Sequence, residues 1–423
     1  MTMPTTRTAP EAPPAPAASD PATAGQLRSL AAQPWPVGAP PRNYAIGNVR
    51  AVLPDRVLSR ATVVVREGRI ADVVEGLRDT AIDLDGGDLL LAPGFIDVHS
   101  DALERERVPR AHAEVPLDFA LASYEGRIAS AGTTTMFHGA AFQHQTARGL
   151  TRSAHAALET CLAVEDHVSY RVDHRVLHRL DLLSADGART LRRRLDALPE
   201  DAPAQLVSHE DHTPGQGQYA DPAVMRRALV DGDGLTPAEA AQQVDRLMRE
   251  REENLHTREA SLRWLSDEAW NGRIRLLGHD PDSADEISAL AGRGGSVAEF
   301  PTTLEAARAA REQGLSIVAG APNILRGASH SGNISAGELV GAGLVDALAS
   351  DYLPTGLLAA AALLARAGTL TLPEAVGLIT SGPARVSGLE DRGELREGLL
   401  ADFALIDDST GEWPRVVTTL KAR

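Results

Sequence analysis

Between residues 93 and 387 the sequence alternates short apolar runs with longer amphipathic ones, and this alternation is its strongest constraint on the fold. The runs GFIDVHS, TTTMFHG, HVSYRVDH, QLVSHED, RIRLLGHD, SVAEFP, LSIVAG and VDALASD have the length and branched content of buried strands. Helical patterns such as LEAARAAREQG and the long stretch PAEAAQQVDRLMREREENLHTREASLRWLSDEAW lie between most of them. Eight strand–helix units predict an α/β fold, a TIM-like (β/α)8 barrel over 93–387. The rival arrangement, a doubly wound open sheet, would be expected to open on a G-x-G-x-x-G turn, and the first unit carries none.

The flanks read differently. Residues 43–92 contain ATVVVR and RIADVV joined through Glu67-Gly68, a hairpin signal, and residues 388–423 again read as strands. Neither piece has enough strands to be stable alone, so both termini are expected to combine into one small β-sandwich module. Residues 1–42 form a Pro/Ala-rich tail holding ten of the 26 prolines in its first 41 positions. Such a segment buries too little apolar surface to offset its ordering entropy, and a flexible tail is expected.

The net charge of −16 argues against a surface that coats nucleic acid or docks on anionic membranes. The longest apolar run, residues 357–365, is far short of the roughly 20 residues that cross a bilayer. The N-terminus lacks the apolar segment of a secretory signal, so a cytoplasmic location is expected. A homo-oligomer is compatible with these properties. With Cys161 as the only cysteine, any metal must be held by histidine and carboxylate. The only lysine is Lys421, next to the C-terminus, so a carbamylated lysine bridging two metals is not expected.

Histidine and aspartate gather where the candidate strands end: His99 and Asp101, His138, Asp173 and His174, His209 with Asp211 and His212, His279 and Asp280, then Asp351. In a barrel all C-terminal strand ends converge on one face, where chemistry is carried out. Neutral imidazole and carboxylate suit zinc, manganese or iron. A divalent cation there would activate water, and a free carboxylate would take and return the proton. Asp351, alone in LASDYLP, is the expected general base. Its other role would be to cap the helix that follows.

The PGFIDVH-x-D start, the two terminal β pieces and the late strand-end Asp resemble the amidohydrolase superfamily. The blocks HSDALE, SHEDHTPGQGQY, GHDPDSADEI, AEFPTTLEAA, GAPNILRGASHSGN and SDYLPTGLL resemble, in order, the M-protein family of the carbon–phosphorus lyase pathway, the α-D-ribose 1-methylphosphonate 5-triphosphate diphosphatases. This resemblance implies a divalent-metal hydrolase, with one ion or two, acting on a small phosphorylated molecule and releasing pyrophosphate. It implies His99, Asp101, His212 and His279 as metal ligands and Asp351 as base. It places His330 and Asn333 of HSGN toward substrate, and Asp211 and Arg326 are expected to join them. The family's HTDNLE reads HSDALE here, with Ala102 in place of Asn. The family's third-strand Glu has no evident match; an ungapped alignment offers His174, with Asp173 beside it, as the ligand. Arg105, Arg107, Arg110, Arg171 and Arg175 are further cations for phosphate. Two other readings stand beside this one. One is an amidohydrolase acting on a C–N bond, as a deacylase or deaminase. The other is a metal-free, non-catalytic barrel.

Overall fold

The computed structural model describes residues 40–76, 82–110, 112–147, 150–215, 217–219, 221–329, 333–409 and 411–422. Eight parallel strands follow one another in chain order around a barrel: Phe95–Ser100, Thr133–Phe142, Asp173–Asp181, Gln205–Glu210, Ile274–His279, Gly295–Glu299, Ser316–Gly320 and Ala347–Ala349. They are called strands one to eight below. Strand eight closes on strand one through a parallel bridge between Ser100 and Asp351. There Asp351 N donates to His99 O at 3.0 Å and Asp101 N donates to Asp351 O at 2.9 Å. The barrel interior holds aliphatic side chains such as Leu177, Leu206, Leu277, Val297 and Val318, and a second apolar layer lies between strands and helices.

Strands from both ends of the chain form one seven-stranded sheet. Phe403–Asp407 pairs antiparallel with Leu90–Pro93, which runs parallel to Tyr44–Val52, itself the antiparallel partner of Val57–Arg66. The sheet folds over its own core, where Ile46, Val63 and Ile70 from the first end meet Leu395, Phe403 and Leu405 from the second.

Two strands differ from the sequence expectation. Strand two runs on to Phe142, so His138 lies inside it rather than at its end. In HVSYRVDH the residues before Asp173 are not strand: Ser169 Oγ accepts from Arg171 N and Val172 N, a local turn that competes with the ladder. Strand three starts at Asp173 and ends at Asp181, beside the end of strand four at Glu210. Asp173 and His174 therefore stand at the opposite end of the barrel from the other strand-end residues.

The crossover after strand four is expanded into helices Pro222–Asp233, Pro237–Glu253 and Leu255–Trp270. The middle one starts on a capping box, Thr236 with Glu239, and has Pro237 in its first turn, where a missing N–H costs nothing. No helix among the described residues is long and apolar enough to cross a membrane.

Deleting residues 390–423 removes the partner of Leu90–Pro93 and uncovers Leu91, Ile46 and Val63, each fully buried. The truncated chain is expected in the insoluble fraction. A soluble truncation melting at the full-length temperature would show that the first-end strands stand without the second.

Candidate active site

The mouth of the barrel is organised by a buried carboxylate, Glu299, at the end of strand six. His99 Nδ1 and His279 Nδ1 each lie 2.7 Å from its two oxygens, and Ser208 Oγ donates to it at 2.6 Å. Burial opposes its charge, but the two imidazoles outweigh burial and hold its pKa well below the usual range. Because both rings use Nδ1 toward Glu299, both present Nε2 to the other side. His99 Nε2 faces Asp101 at 3.5 Å and His279 Nε2 faces Asp280 at 3.6 Å. Burial disfavours a charged His99, yet Glu299 and Asp101 lift its pKa well above normal. An electrophile at Nε2, whether proton or metal cation, is stabilised by the same carboxylates.

Arg179, in strand three, is the counterpart cation. One Nη contacts both oxygens of Asp101 at 2.6 and 2.5 Å, and the other donates to Glu210 Oε2 at 2.7 Å. Burial alone would raise the pKa values of Asp101 and Glu210; Arg179 dominates and lowers both. His212 lies beside this pair, its Nδ1 3.8 Å from Glu210 and its Nε2 3.7 Å from Asp280, with its ring edge-on to His279.

Asp351 completes the group from strand eight. The helix after it begins at Leu357 with Gly356 at its cap and no side-chain capping bond, so Asp351 does not serve as its cap. Burial, then the neighbouring Asp101 charge, push the Asp351 pKa up to about 6. Asp280, Phe300 and Asp351 all have positive φ, at 52°, 55° and 54°. Three non-glycine residues in this region at three strand ends mark a strained rim.

Ligand-type atoms lie within 4.8 Å of one another in three overlapping sets: His99–Asp101–Asp351, His99–His279–Glu299 and Glu210–His212–His279. Glu210 Oε1 and His212 Nε2 are buried without a hydrogen-bond partner among the described residues. Unpartnered buried donor atoms of these types, beside imidazole nitrogens facing the same space, fit a divalent cation. Lys421 is ion-paired with Asp402 in the terminal sheet and cannot bridge metals here.

The structure thus brings together His99, Asp101, His212, His279 and Asp351. Asp173 is bound by Arg175 and Arg392 at the far end, and His174 contacts His138, so neither reaches the mouth. The carboxylate that does end strand three is Asp181, whose pKa is raised to about 6 by burial and by Glu210 and Asp211. Asp211 accepts from Arg251 and Arg258, each at 3.3 Å. Arg326 is exposed at the end of the short helix after strand seven. Asn333 is half-buried, and Ile334 N beside it donates to Thr302 O at the rim of strand six. His330 lies outside the described residues. Arg107 is ion-paired with Glu114 and Glu159 rather than facing the mouth.

A cavity of about 100 Å³ adjoins His279 and Asp280, lined among others by His209, Asp211, Arg258, Glu286 and Arg293. Burial, Arg293 and Arg258 push the His209 pKa down to about 4, so its ring is neutral at ordinary pH, and its Nε2 has no hydrogen-bond partner among the described residues.

An amidohydrolase family model matches residues 284–419. The chain is 33% identical over 362 residues to the α-D-ribose 1-methylphosphonate 5-triphosphate diphosphatase of Escherichia coli strain K12, covering 85% of this chain and 94% of that one. Among solved structures, a 5-methylcytosine deaminase from Klebsiella pneumoniae matches at TM-score 0.57 and 16% identity, over 89% of this chain and 96% of that one. A dihydropyrimidinase from Brevibacillus agri matches at TM-score 0.54 and 13% identity, over 90% and 94%. These two likenesses support the barrel with its terminal sheet and carry no activity.

Glu299→Gln keeps the shape of the central carboxylate but removes its charge and one of its acceptor oxygens. Metal affinity is expected to weaken by about 10- to 100-fold, as when an outer partner of a ligating histidine is lost. Competition against a chelating dye measures it, and unchanged affinity would separate Glu299 from the metal-binding role of His99 and His279.

Proposed function

Because the chain belongs to the amidohydrolase superfamily of metal-dependent hydrolases, we propose that it hydrolyses α-D-ribose 1-methylphosphonate 5-triphosphate to the 5-phosphate and pyrophosphate. His99, Asp101, His212 and His279 are the proposed ligands of the cation, with Glu210 added by its position beside His212. Zinc, manganese and iron all suit this donor set. When bound, such a cation supplies Lewis acidity toward water and phosphoryl oxygen.

The remaining roles fall to the chain's own side chains. Asp351 takes a proton from the attacking water as oxygen bonds to phosphorus and the α–β phosphoanhydride breaks. It then returns that proton to the departing pyrophosphate. A carboxylate with a pKa near 6 is basic enough to accept and acidic enough to release. Arg179 keeps Asp101 and Glu210 ionised and fixed.

The observation that carries the phosphate reading is the cavity adjoining His279. Arg258 and Arg293 line it, and Asp211 holds Arg258 in place by an ion pair. Neutral His209, in the tautomer with Nε2 protonated, can donate to a phosphoryl oxygen. In a chain of net charge −16, a polyanion needs such local cations. The E. coli relative, whose name carries the same substrate, supports the assignment. An uncharged amide or nucleobase would have no use for the two arginines.

Phosphorus NMR of the metal-loaded protein with the triphosphate tests the proposal. Pyrophosphate and the 5-phosphate should appear in equal amounts. Turnover of N-acyl or cyclic amide substrates, with none of the triphosphate, would replace it with the C–N reading.

Two substitutions sharpen the roles. Asp351→Asn should lower kcat by about 10² to 10⁴ with metal content retained. The wild-type rate should fall as pH drops below about 6, because the base is then protonated, and this limb should vanish from the residual activity of the variant. Arg293→Ala should raise KM for the triphosphate by about 10- to 100-fold, the loss of a charge-assisted bond, and raise it far less for a monophosphate. Equal KM changes for both ligands would place Arg293 outside the phosphate subsite.

A further inference from the structure

A second cluster of ligand-type side chains lies on the outer wall of the barrel, away from the mouth. Glu125 comes from helix Leu117–Ser130, His167 follows helix Ala154–Asp166, and His174 is the second residue of strand three. Glu125 Oε2 lies 2.9 Å from His167 Nε2 and 3.3 Å from His174 Nε2. The two rings stand edge to face at 5.0 Å. All three side chains are shielded: Glu125 is 13% exposed, His167 15% and His174 2%. Behind His174 is His138, ring stacked on ring, with its Nε2 2.8 Å from His174 Nδ1. Their strand neighbours Met136 and Val176 belong to the apolar layer between strands and helices.

We propose that Glu125, His167 and His174 form a second divalent-cation site of the zinc type, independent of the catalytic centre. The three ligand atoms lie within 4.8 Å of one another, a span that small side-chain rotations close onto one ion. Two imidazoles and one carboxylate are a donor set for zinc, cobalt or nickel, with the fourth position open to water on the partly exposed side. The protonation states are the ones binding requires. Burial and the neighbouring rings keep His138 neutral, and burial also lowers the pKa of His174. Burial opposes ionisation of Glu125, but Ser169 and the two histidines outweigh it and keep the carboxylate charged. When His174 donates from Nδ1 to His138, its Nε2 lone pair is free for the cation. This is the outer-partner arrangement that fixes a ligating histidine. The ligands come from three separate segments, so an ion there cross-links a helix, the stretch before strand three and strand three itself. The site is a structural clamp, and neither Glu125 nor His167 takes part in the proposed chemistry.

The test uses the full chain, stripped by chelator and then titrated with zinc, with cobalt(II) as a spectroscopic probe. Wild type should bind at least one equivalent more than His167→Ala or Glu125→Gln, or hold that equivalent at least tenfold more tightly. Zinc should raise the melting temperature of wild type more than that of either variant. Catalysis by the metal-loaded variants should stay within twofold of wild type. If His167→Ala does not fold, the near-isosteric Glu125→Gln decides. Identical stoichiometry, affinity and zinc-dependent melting in wild type and variant would overturn the proposal. This outcome is independent of the phosphate reading, which is scored by product release at the other site.

Discussion

Glu299 is the carboxylate on which the mouth of this barrel depends. It is fully buried, where an unpaired charge would be prohibitively costly. Donors from strands one, four and five converge on it: His99, Ser208 and His279. One negative charge thus sets the orientation of two imidazoles on strands that are not neighbours. Their Nε2 atoms face away from Glu299, toward the carboxylates of Asp101 and Asp280. Arg179 performs the inverse task, one guanidinium between Asp101 and Glu210. Removing it would leave two buried carboxylates facing one another, a change of the kind that costs about 3–5 kcal/mol. The alternation of charge, rather than any single pair, makes so many ionisable groups tolerable in one place.

Closure of the barrel is bound up with the same residues. Asp97 Oδ1 accepts from Ser350 N at 3.1 Å, joining strand one to the turn after strand eight. The backbone of Asp351 bridges to His99 and Asp101. The segment that seals the sheet therefore also delivers the proposed base to the proposed ligands. The positive φ values at Asp280, Phe300 and Asp351 cost on the order of 1–3 kcal/mol each, and surrounding hydrogen bonds hold them there. Asp280 N donates to Glu299 O and Phe300 N to Val318 O, each at 2.8 Å. Strain at the rim and order in the wall are parts of one arrangement.

Much of this was legible in the sequence, because eight apolar runs separated by helical patterns leave few alternatives. His99 with Asp101, His279 and Asp351 stand out because each ends an apolar run. Glu210 was equally visible in SHEDH: residues two apart share a face, so Ser208, Glu210 and His212 belong together, and Ser208 and Glu210 do face the charged centre. Glu299 likewise ends SVAEF. Arg179 and Asp181 were hidden for another reason. HVSYRV has strand-like residues, but the Ser169 hydroxyl captures two backbone N–H groups and delays the strand. That offset moved Asp173 and His174 to the wrong end of the barrel and left the true strand end unread. One serine's two hydrogen bonds thus override the strand pattern of the run and shift the strand along the chain.

The inserted helices after strand four bring cations of a strongly acidic chain to the rim of the barrel. Their cost is a long loop, yet loop closure grows only slowly with length. Arg251 and Arg258 enter on two of these helices and both reach Asp211, just past the end of strand four. Asp211 neutralises part of their charge but fixes their positions, and Arg293 arrives from the far end of helix Ala284–Gly292. Burial and Arg258 lower the Arg293 pKa, the expected sign for a cation held near its like in a partly dry place. Asp211 partners Arg258, and Glu286 works against the lowering at Arg293, so the two guanidiniums share one cavity without a bare concentration of like charge. On the proposed function, an anion that extends from beside His279 into this cavity would gain from both cations, and a shorter one would gain less.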